Sequence, residues 1–486
     1  FSGTEFARYQ RKLQGARATT TQGKAQLTLF GAVSRGKYNS LEIVGLEGKQ
    51  GPYQLTGDRG QIDIIVLAGT ERVWVDGEPM VRGENNDYVI EYGNGQLTFT
   101  RKRLITGNSR ITVDFQYSDE RFERTLSGGE ARWGAADDKL HVRATVLRES
   151  DDKDDPLGIA LSDELLAVLA SAGDSLAFVD GATFVGDGQG SYQKQDSFFV
   201  FVGADSGDYR VRFSDFGVGE GSYDYAGFGR YIYVGPGRGR YLPQVLLPKA
   251  QRSELADVRL DFAPAKNLRL TTEFASSSFD DNLYSGVGDG DNRGGAYFVH
   301  FDFSPEKMSL FGKNVGKGLL RLKYRHRGER YREIDRENVV EFGRKWDLGN
   351  SQFATGSAET ISEAEFRLEP WRAVRFFGAA GALEREAQGV ASSRWELGTE
   401  WARPDWLDLR YRIENISREN ASSRDNEWLR QRGTASRKIW RLRPLFEMES
   451  EVKKEAPIDS TLRAGFRFLD YAVGLGYDSG QHLRAQ

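Results

Sequence analysis

The chain has 486 residues, with 67 basic and 71 acidic side chains and a net charge of −4, so overall charge gives no support for nucleic-acid binding. Mean hydropathy is −0.56 and no apolar run is long enough for a transmembrane helix, which excludes a helical membrane protein. The absence of cysteine excludes disulfides, thiolate zinc sites and cysteine nucleophiles, and 56 glycines with 12% aromatic residues favour a β-rich chain.

Residues 1–23 are predicted to be a polar lead-in. They lack the basic start, apolar core and cleavage site of a signal peptide, so an exported protein has lost its signal or the sequence begins inside a longer chain. Residues 24–122 consist of short apolar stretches separated by turn residues, with Asp76-Gly77 and Gly93-Asn94-Gly95 in hairpin-forming positions. They predict a small β-sandwich-like module.

From residue 123 onward the predicted strands lengthen to about ten residues, which is what a tilted strand needs to cross a bilayer. Successive side chains of a strand point to opposite faces. In the stretch LLRLKYRHRG three apolar residues share one parity: Leu320, Leu322 and Tyr324. Four cations share the other parity: Arg321, Lys323, Arg325 and Arg327. About a dozen such segments follow one another, which predicts a long antiparallel meander.

The connections between these strands alternate in kind. Long charged loops alternate with short proline-containing turns at 263–267, 369–372, 403–406 and 442–445. This arrangement is typical of an outer-membrane meander barrel. Four tryptophans lie beside the short turns, where an interfacial aromatic girdle is expected: Trp371, Trp401, Trp406 and Trp440.

One segment, 151–250, stands apart from the strand pattern. It contains the one convincing helix of the sequence, LSDELLAVLASAGD, which Ser162 is placed to cap. A Gly/Tyr-rich stretch follows, with G-x-G-x-Y beginning at 188, 219 and 237, which predicts related hairpin turns. About a hundred residues cannot form a simple loop, so we expect a small folded insertion that caps or plugs the barrel.

Residues 123–478 resemble outer-membrane β-barrels of Gram-negative bacteria. The run GPYQLTG…VLAGTERVWVDGEPMVRGENNDYVIEYGNGQLTFT, followed by YVGPGRGRYLP in the insertion, resembles large envelope proteins of the Bacteroidetes/Chlorobi type. The likeness covers most of the chain and implies a location more than an activity. The end of the chain, GLGYDSGQHLRAQ, lacks the terminal aromatic strand typical of such barrels, so the barrel predicted over 123–486 is expected to be incomplete at its C-terminus.

We therefore predict an all-β protein, an antiparallel transmembrane meander β-barrel with a polar charged lumen, preceded by the small module. A cation near the bilayer midplane costs roughly 2–4 kcal/mol, which assigns the charged parity to the lumen. The predicted lumen-lining residues are Arg321, Lys323, Arg325, Arg327, Glu363, Glu365, Arg367, Asp408, Arg410, Arg412, Glu414, Arg463 and Arg467. The predicted lipid-facing residues are Leu320, Leu322, Tyr324, Leu407, Leu409, Tyr411, Phe466 and Phe468.

Two further expectations concern the packing of the strands. The cations at 321–327 should pair with carboxylates on adjoining strands, and the candidates are Asp302 and either Glu363 or Glu365. The alternative to a membrane barrel is a soluble antiparallel assembly whose charged face meets water.

The sequence contains only weak matches to nucleotide-binding, metal-binding and catalytic motifs. GVGEGS at 217–222 lacks the third glycine and the helix of a dinucleotide fingerprint, so we expect a turn. DGDNRG begins like a calcium loop, but Arg293 stands where Asp or Asn is needed, which leaves Asp289 and Asp291 as a weak metal candidate. The four histidines lack metal-ligand spacing, and no G-x-S-x-G elbow occurs. We expect no enzymatic activity, no resident metal and no cofactor.

The predicted function is a conduit or scaffold for the transport of solutes or a secreted polymer across the outer membrane, because a charged lumen can be wetted. The alternative is a surface, adhesion or structural β-protein whose long loops bind partners. In both cases the expected location is the cell outer membrane. The expected partners are the lipid bilayer and other envelope proteins, with no nucleic acid.

Overall fold

The computed structural model describes residues 3–9, 11, 13–34, 36–58, 60–62, 64–107, 109–118, 121–135, 139–157, 160–310, 312–348, 356–403, 407–420, 426–455 and 464–477. Its dominant element is one antiparallel sheet of fifteen strands that follow each other in chain order. The strands are Gln14–Gln22, Ala25–Ser34, Phe122–Ala135, Leu140–Pro156, Arg252–Ala265, Leu268–Asp280, Arg293–Phe303, Lys317–Arg327, Glu359–Trp371, Val374–Arg385, Val390–Arg403, Leu407–Asn420, Asn426–Ser436, Leu442–Glu455 and Ala464–Tyr477. The predicted all-β class and antiparallel order are therefore confirmed.

The connections of this large sheet separate into two ends. At one end, the short-turn end, strands are joined by tight connections such as 23–24, 266–267 and 372–373. At the other, the long-loop end, the main connections are 35–121, 157–251, 281–292 and 328–358. Among the described residues the two edge strands, Gln14–Gln22 and Ala464–Tyr477, are not hydrogen-bonded to each other.

A small module, residues 37–118, is inserted between the second and third strands of the large sheet. Its strands form a five-stranded and a three-stranded sheet around an apolar core. They are Lys37–Val44, Tyr53–Gln54, Ile65–Val66, Arg72–Val75, Glu78–Pro79, Tyr88–Glu91, Gln96–Phe99 and Arg110–Ser118. The structure differs from the sequence-based boundaries at 23 and 24, because residues 14–34 pair within the large sheet. These two strands carry too few charges to display the alternation of the later ones.

A second insertion lies between strands Leu140–Pro156 and Arg252–Ala265. The first of these strands continues into the predicted insertion, because Arg124 and Asp151 still pair in register and their side chains meet at 2.6 Å. Helix α1, Asp163–Ala172, follows as predicted, and the hydroxyl of Ser162 accepts the N–H of Leu165 at 3.4 Å.

The Gly/Tyr-rich stretch folds into two four-stranded sheets and a two-stranded pair. The three predicted turns begin at residues with positive φ, and a fourth begins at Asp205, where φ is +51°. Aspartate tolerates the left-handed region, so D-S-G-D-Y replaces G-x-G-x-Y at this turn. The strands are Phe178–Asp180, Ala182–Phe184, Tyr192–Gln195, Phe198–Phe201, Tyr209–Val211, Ser214–Asp215, Tyr223–Tyr225, Tyr231–Tyr233, Tyr241–Leu242 and Gln244–Leu246.

The two four-stranded sheets of this insertion are joined by reciprocal hydrogen bonds. The hydroxyl of Tyr192 accepts the N–H of Tyr231 in the other sheet at 3.1 Å. The hydroxyl of Tyr223 accepts the N–H of Phe199 at 2.8 Å in the reverse direction. The insertion is therefore one folded unit built from two similar halves.

The two faces of the large sheet differ in what covers them. We call the face that contacts residues 3–9, 11, 13 and 328–348 the inner face, and its opposite the outer face. Large apolar side chains are exposed on the outer face, among them Leu322 (45%), Phe366 (47%) and Leu397 (48%). Within the described residues no helix is long and apolar enough to cross a membrane.

Candidate functional site

An N-terminal segment occupies the inner face of the large sheet. In this inner segment, residues 3–9, 11 and 13, the N–H of Glu5 donates to the two carboxylate oxygens of Glu273 at 2.7 and 2.9 Å. The N–H of Phe6 donates to the same carboxylate at 2.7 Å. Glu273 is fully buried on strand Leu268–Asp280, and a buried carboxylate requires such donors. The inner segment is thus bound to the sheet at a fixed position.

The side chain of Glu5 adds ion pairs at the same place. Its carboxylate lies 3.0 Å from Lys323 and 3.3 Å from Arg325. Burial raises the pKa of Glu5, but the charges of Lys323 and Arg325 outweigh burial, so the pKa lies below its ordinary value. Glu5 is therefore ionised at neutral pH, and its single charge is shared between two of the predicted lumen cations.

Arg11 ties the inner segment to two other parts of the chain. Its guanidinium donates to Glu149 on the sheet at 2.9 Å and to the carbonyl oxygen of Ile334 at 2.5 Å. The same guanidinium lies over the ring of Tyr9, 4.8 Å from the centroid. Because the Arg11 side chain is only 2% exposed, these contacts are made away from water.

A second element, the inner loop of residues 328–348, also covers the inner face. It contains helix α2, Phe342–Lys345, followed by Trp346 and Leu348, which are fully buried. The apolar cluster around them includes residues of the sheet and consists of Phe342, Trp346, Leu348, Ile361, Leu383 and Val390. The inner loop is therefore anchored by apolar burial.

Polar contacts extend this anchor to later strands. Asp347 accepts from Lys453 at 2.7 Å and from the side-chain amide of Asn426 at 2.8 Å. Arg344 donates to Glu451 at 2.6 Å. The inner loop thus spans the inner face from strand Glu359–Trp371 to strand Leu442–Glu455.

The module is fastened to this loop. Arg336 of the inner loop forms an ion pair with Asp114 of the module and lies over the ring of Trp74, 5.5 Å from the centroid. Arg110 of the module pairs with Glu341 of the inner loop at 2.9 Å. The module therefore lies over the inner loop at the long-loop end of the sheet.

These elements enclose a cavity of about 810 Å³. The inner segment, the inner loop, the module and the inner face each contribute to its lining. Both signs of charge and several aromatic rings are present in the lining, including Trp74, Arg259, Phe298, Arg321, Asp335 and Glu363. A cavity of this size with convergent polar groups suits a polar small molecule.

Most residues that the sequence assigned to the lumen share a face in the structure. Arg321, Lys323 and Arg325 stand opposite Glu365, Glu363 and Ile361, and Arg321 also binds Asp302 at 2.9 Å. The same register places on the inner face the sequence-predicted residues Arg321, Lys323, Arg325, Arg327, Glu363, Glu365 and Arg367. On strand Leu407–Asn420 the register extends that face to Asp408, Arg410, Arg412 and Glu414. The outer face carries Leu320, Leu322, Tyr324, Leu407, Leu409 and Tyr411.

The strand Ala464–Tyr477 has the opposite parity from the prediction. Phe468 stands opposite Glu451, and Phe466 stands opposite Lys453. Glu451 and Lys453 both contact the inner loop, so the two phenylalanines lie on the inner face and Arg467 lies on the outer face. This strand has apolar residues on both parities, and pairing with its neighbour, which the sequence does not reveal, decides the face.

The remaining predicted residues have separate outcomes. Arg463 and Trp406 lie outside the described residues. Asp289 and Asp291 lie in a 3-10 turn, and no group of three or more metal-binding side chains occurs in the part of the chain that the structure describes. Trp371 and Trp440 are 68% and 78% exposed at the short-turn end, and Trp401 lies on the adjoining strand Val390–Arg403.

Sequence reasoning missed the inner segment, which it interpreted as a polar lead-in. The available signal was the pair of aromatic residues Phe6 and Tyr9 among charged neighbours, because a solvated segment has no need of them. Both are buried, at 1% and 5% exposure.

Comparisons with known proteins add one assignment. A family model described as "Domain of unknown function (DUF8818)" matches residues 38–119, which coincide with the module but form a minor part of the chain. No curated protein matches the sequence.

Two solved structures align over most of the chain. Outer-membrane expressed OmpT of Vibrio cholerae aligns with 8% identity and a TM-score of 0.19, over 95% of this chain and 99% of that one. The open form of the ferric-catecholate import receptor Fiu from E. coli K12 aligns with 8% identity and a TM-score of 0.26, over 92% of this chain and 70% of that one. Such TM-scores do not establish a shared fold, so the function must be inferred from the geometry of the chain itself.

Proposed function

We propose that this chain is an outer-membrane β-barrel protein. The observation that carries the proposal is a fifteen-stranded antiparallel sheet with exposed apolar side chains on its outer face and ion-paired side chains on its inner face. In water an apolar face of this extent would be an unusually large exposed patch. Next to lipid it is what a spanning strand requires, and the long loops at one end fit the same architecture.

Spin labels on one strand test this proposal directly. Labels at positions 322 and 323 of the detergent-purified protein, reconstituted in lipid, are compared for collisions with oxygen and with a water-soluble relaxant. Position 322 should respond mainly to oxygen and position 323 mainly to the water-soluble relaxant. Equal response of both positions to the water-soluble relaxant would mean that no membrane wall exists there.

We further propose that the barrel is a conduit for polar solutes and that the inner segment closes it. The cavity of about 810 Å³ with mixed charge supports binding of a polar solute. The inner segment lines this cavity and is held by hydrogen bonds and ion pairs, which can be broken and remade. A conduit closed by such a segment would conduct only when the segment moves.

Conductance across a planar bilayer tests the conduit. The full chain should give little steady current, and a variant that lacks residues 3–9 should give steady ion current. If the shortened variant also gave no steady current, although heat-modifiable migration showed that it had inserted correctly, the conduit would be overturned. That result would favour the second candidate function, a surface scaffold. The inner segment and the inner loop, which cover the inner face, support a scaffold, as do the module and the insertion at the long-loop end.

A further inference from the structure

Three arginines stand side by side on the inner face, nearer the short-turn end. Arg132 is directly opposite Arg143, and Arg143 is directly opposite Arg259, on three adjacent strands. Like charges at directly opposed positions destabilise a sheet. By contrast, Arg321 stands opposite Glu365. We call these three residues the arginine row; it concentrates positive charge on three adjacent strands.

The arginine row borders a second cavity, of about 490 Å³, and Arg259 also lines the larger one. Three further basic side chains line the same space: Lys24, His141 and Arg269. Among the described residues that line it, Asp261 supplies the one carboxylate. The lining of this cavity is therefore strongly cationic, unlike that of the larger cavity.

Carboxylates pair with each member of the arginine row. Glu130 lies 2.5 Å from Arg132 and 3.8 Å from Arg143, and Glu273 lies 3.5 Å from Arg259. Arg259 also donates to both carboxylate oxygens of Asp261, at 2.8 and 2.9 Å. Glu130 and Glu273 are 4% and 0% exposed. The three arginine side chains remain 46%, 22% and 20% exposed in chain order. A guanidinium has five N–H donors, so an arginine that already pairs with a carboxylate can still donate to a bound anion.

We propose that the arginine row binds a soluble anion that carries two linked phosphoryl groups. Guanidinium groups form paired hydrogen bonds with phosphate oxygens, which makes arginine the preferred side chain for this chemistry. Adjacent strands lie about 4.8 Å apart, so three neighbouring arginines present donors along a line that a diphosphate can follow. The three arginines lie on the inner face, whereas Trp133 and Val142 of the same lining belong to the outer face. The proposed ligand is a soluble anion because the charged groups face inward, and binding to vesicles tests this against a lipid headgroup. This site does not depend on whether the barrel conducts.

Calorimetry of the detergent-solubilised full chain with inorganic pyrophosphate tests the site. The double variant Arg132→Gln with Arg143→Gln should bind pyrophosphate at least about tenfold more weakly, because charged hydrogen bonds are lost. The matched control is Arg412→Gln with Arg432→Gln, another directly opposed arginine pair on the inner face. The control should leave the dissociation constant unchanged.

Three outcomes would overturn the proposal. They are an absence of pyrophosphate binding by the unmodified chain, equal weakening in the control, and binding of citrate or of vesicles with phosphate headgroups as tight as that of pyrophosphate. The variant Arg132→Lys with Arg143→Lys keeps both charges, so it still tests the site if the glutamine variant does not fold. It should weaken binding by a smaller factor, because lysine lacks the paired donors, and unchanged affinity would contradict the proposal.

Discussion

The outer and inner faces of the large sheet use the same strands in different ways. On strand Lys317–Arg327, Leu322 is 45% exposed on the outer face. The next residue, Lys323, faces inward and reaches Glu5 at 3.0 Å. The outer face needs a property that any apolar side chain can supply, whereas the inner face needs particular partners.

This difference sets what a substitution can do on each face. Arg325 is 3% exposed and binds Glu5 at 3.3 Å and Glu359 at 2.8 Å. Removal of one partner from such a buried group leaves a charge without compensation. On the inner face the cost of a change should therefore depend on which contacts are lost, and on the outer face it should depend on polarity alone.

The largest effect is expected where the inner face is covered by apolar burial. Trp346→Ala removes a fully buried indole from the cluster that anchors the inner loop. Loss of a buried tryptophan costs about 3–5 kcal/mol, so the unfolding midpoint in detergent should fall markedly. Trp440→Ala is the control, because that indole is 78% exposed in a turn. Equal midpoints for the two variants would show that the inner loop is not anchored in this way.

The next effect concerns the outer face. Leu322→Arg places a cation on the proposed lipid side, at a cost of roughly 2–4 kcal/mol near the midplane. Assembly into membranes, measured as the heat-modifiable fraction, should drop sharply. Leu322→Phe keeps the apolar character and should assemble normally. Normal assembly of the arginine variant would contradict the proposed lipid contact, because it would show that the outer face meets water.

The sequence was sufficient to predict elements with regular alternation. Apolar and charged residues alternate strictly over 320–325 and 407–414, within strands Lys317–Arg327 and Leu407–Asn420, so both the strand and its two faces follow from the pattern. The helix after Ser162 was equally predictable, because its cap and its apolar spacing agree.

Other features depend on contacts between residues far apart in the chain. Glu5 meets residues 268 and 318 positions away, and nothing near Glu5 in the sequence indicates them. The two strands of residues 14–34 join the large sheet through pairing across the inserted module. Phe466 and Phe468 lie on a strand with apolar residues on both parities, so the neighbouring strand decides their face.

Acid should act on the inner face and spare the outer one. The pKa of Glu5 is lowered in the folded chain, since Lys323 and Arg325 outweigh the effect of burial. Its contribution to holding the inner segment is therefore complete above the ordinary value of 4.5 and is lost as pH falls through the lower, folded value.

A single introduced cysteine can report this release. The chain contains no cysteine, and Ala7 is fully buried, so the variant Ala7→Cys should react slowly with a thiol reagent unless the inner segment moves. When labelling is done at each pH with a dipyridyl disulfide, which reacts with thiols in acid, reactivity should rise as the pH falls well below 4.5. With Glu5→Gln added, reactivity should be higher at neutral pH and should lose most of its acid-dependent increase. An acid response of the same size in both would assign the effect to other groups.

The smallest effect is expected from the residue next to Leu322. Lys323→Gln removes one of the two cations that bind Glu5, but Arg325 remains 3.3 Å from the same carboxylate. The Lys323 side chain is 31% exposed, so water compensates for part of the loss and the cost should be about 0–1 kcal/mol. Membrane assembly should be unchanged, and Ala7→Cys should react only slightly faster. Arg325→Gln, at a 3% exposed position with two carboxylate partners, should release the inner segment far more. If Lys323→Gln instead raised the assembled fraction, loss of the cation would be favourable there, so position 323 would lie on the lipid side and the assignment of the two faces would be inverted.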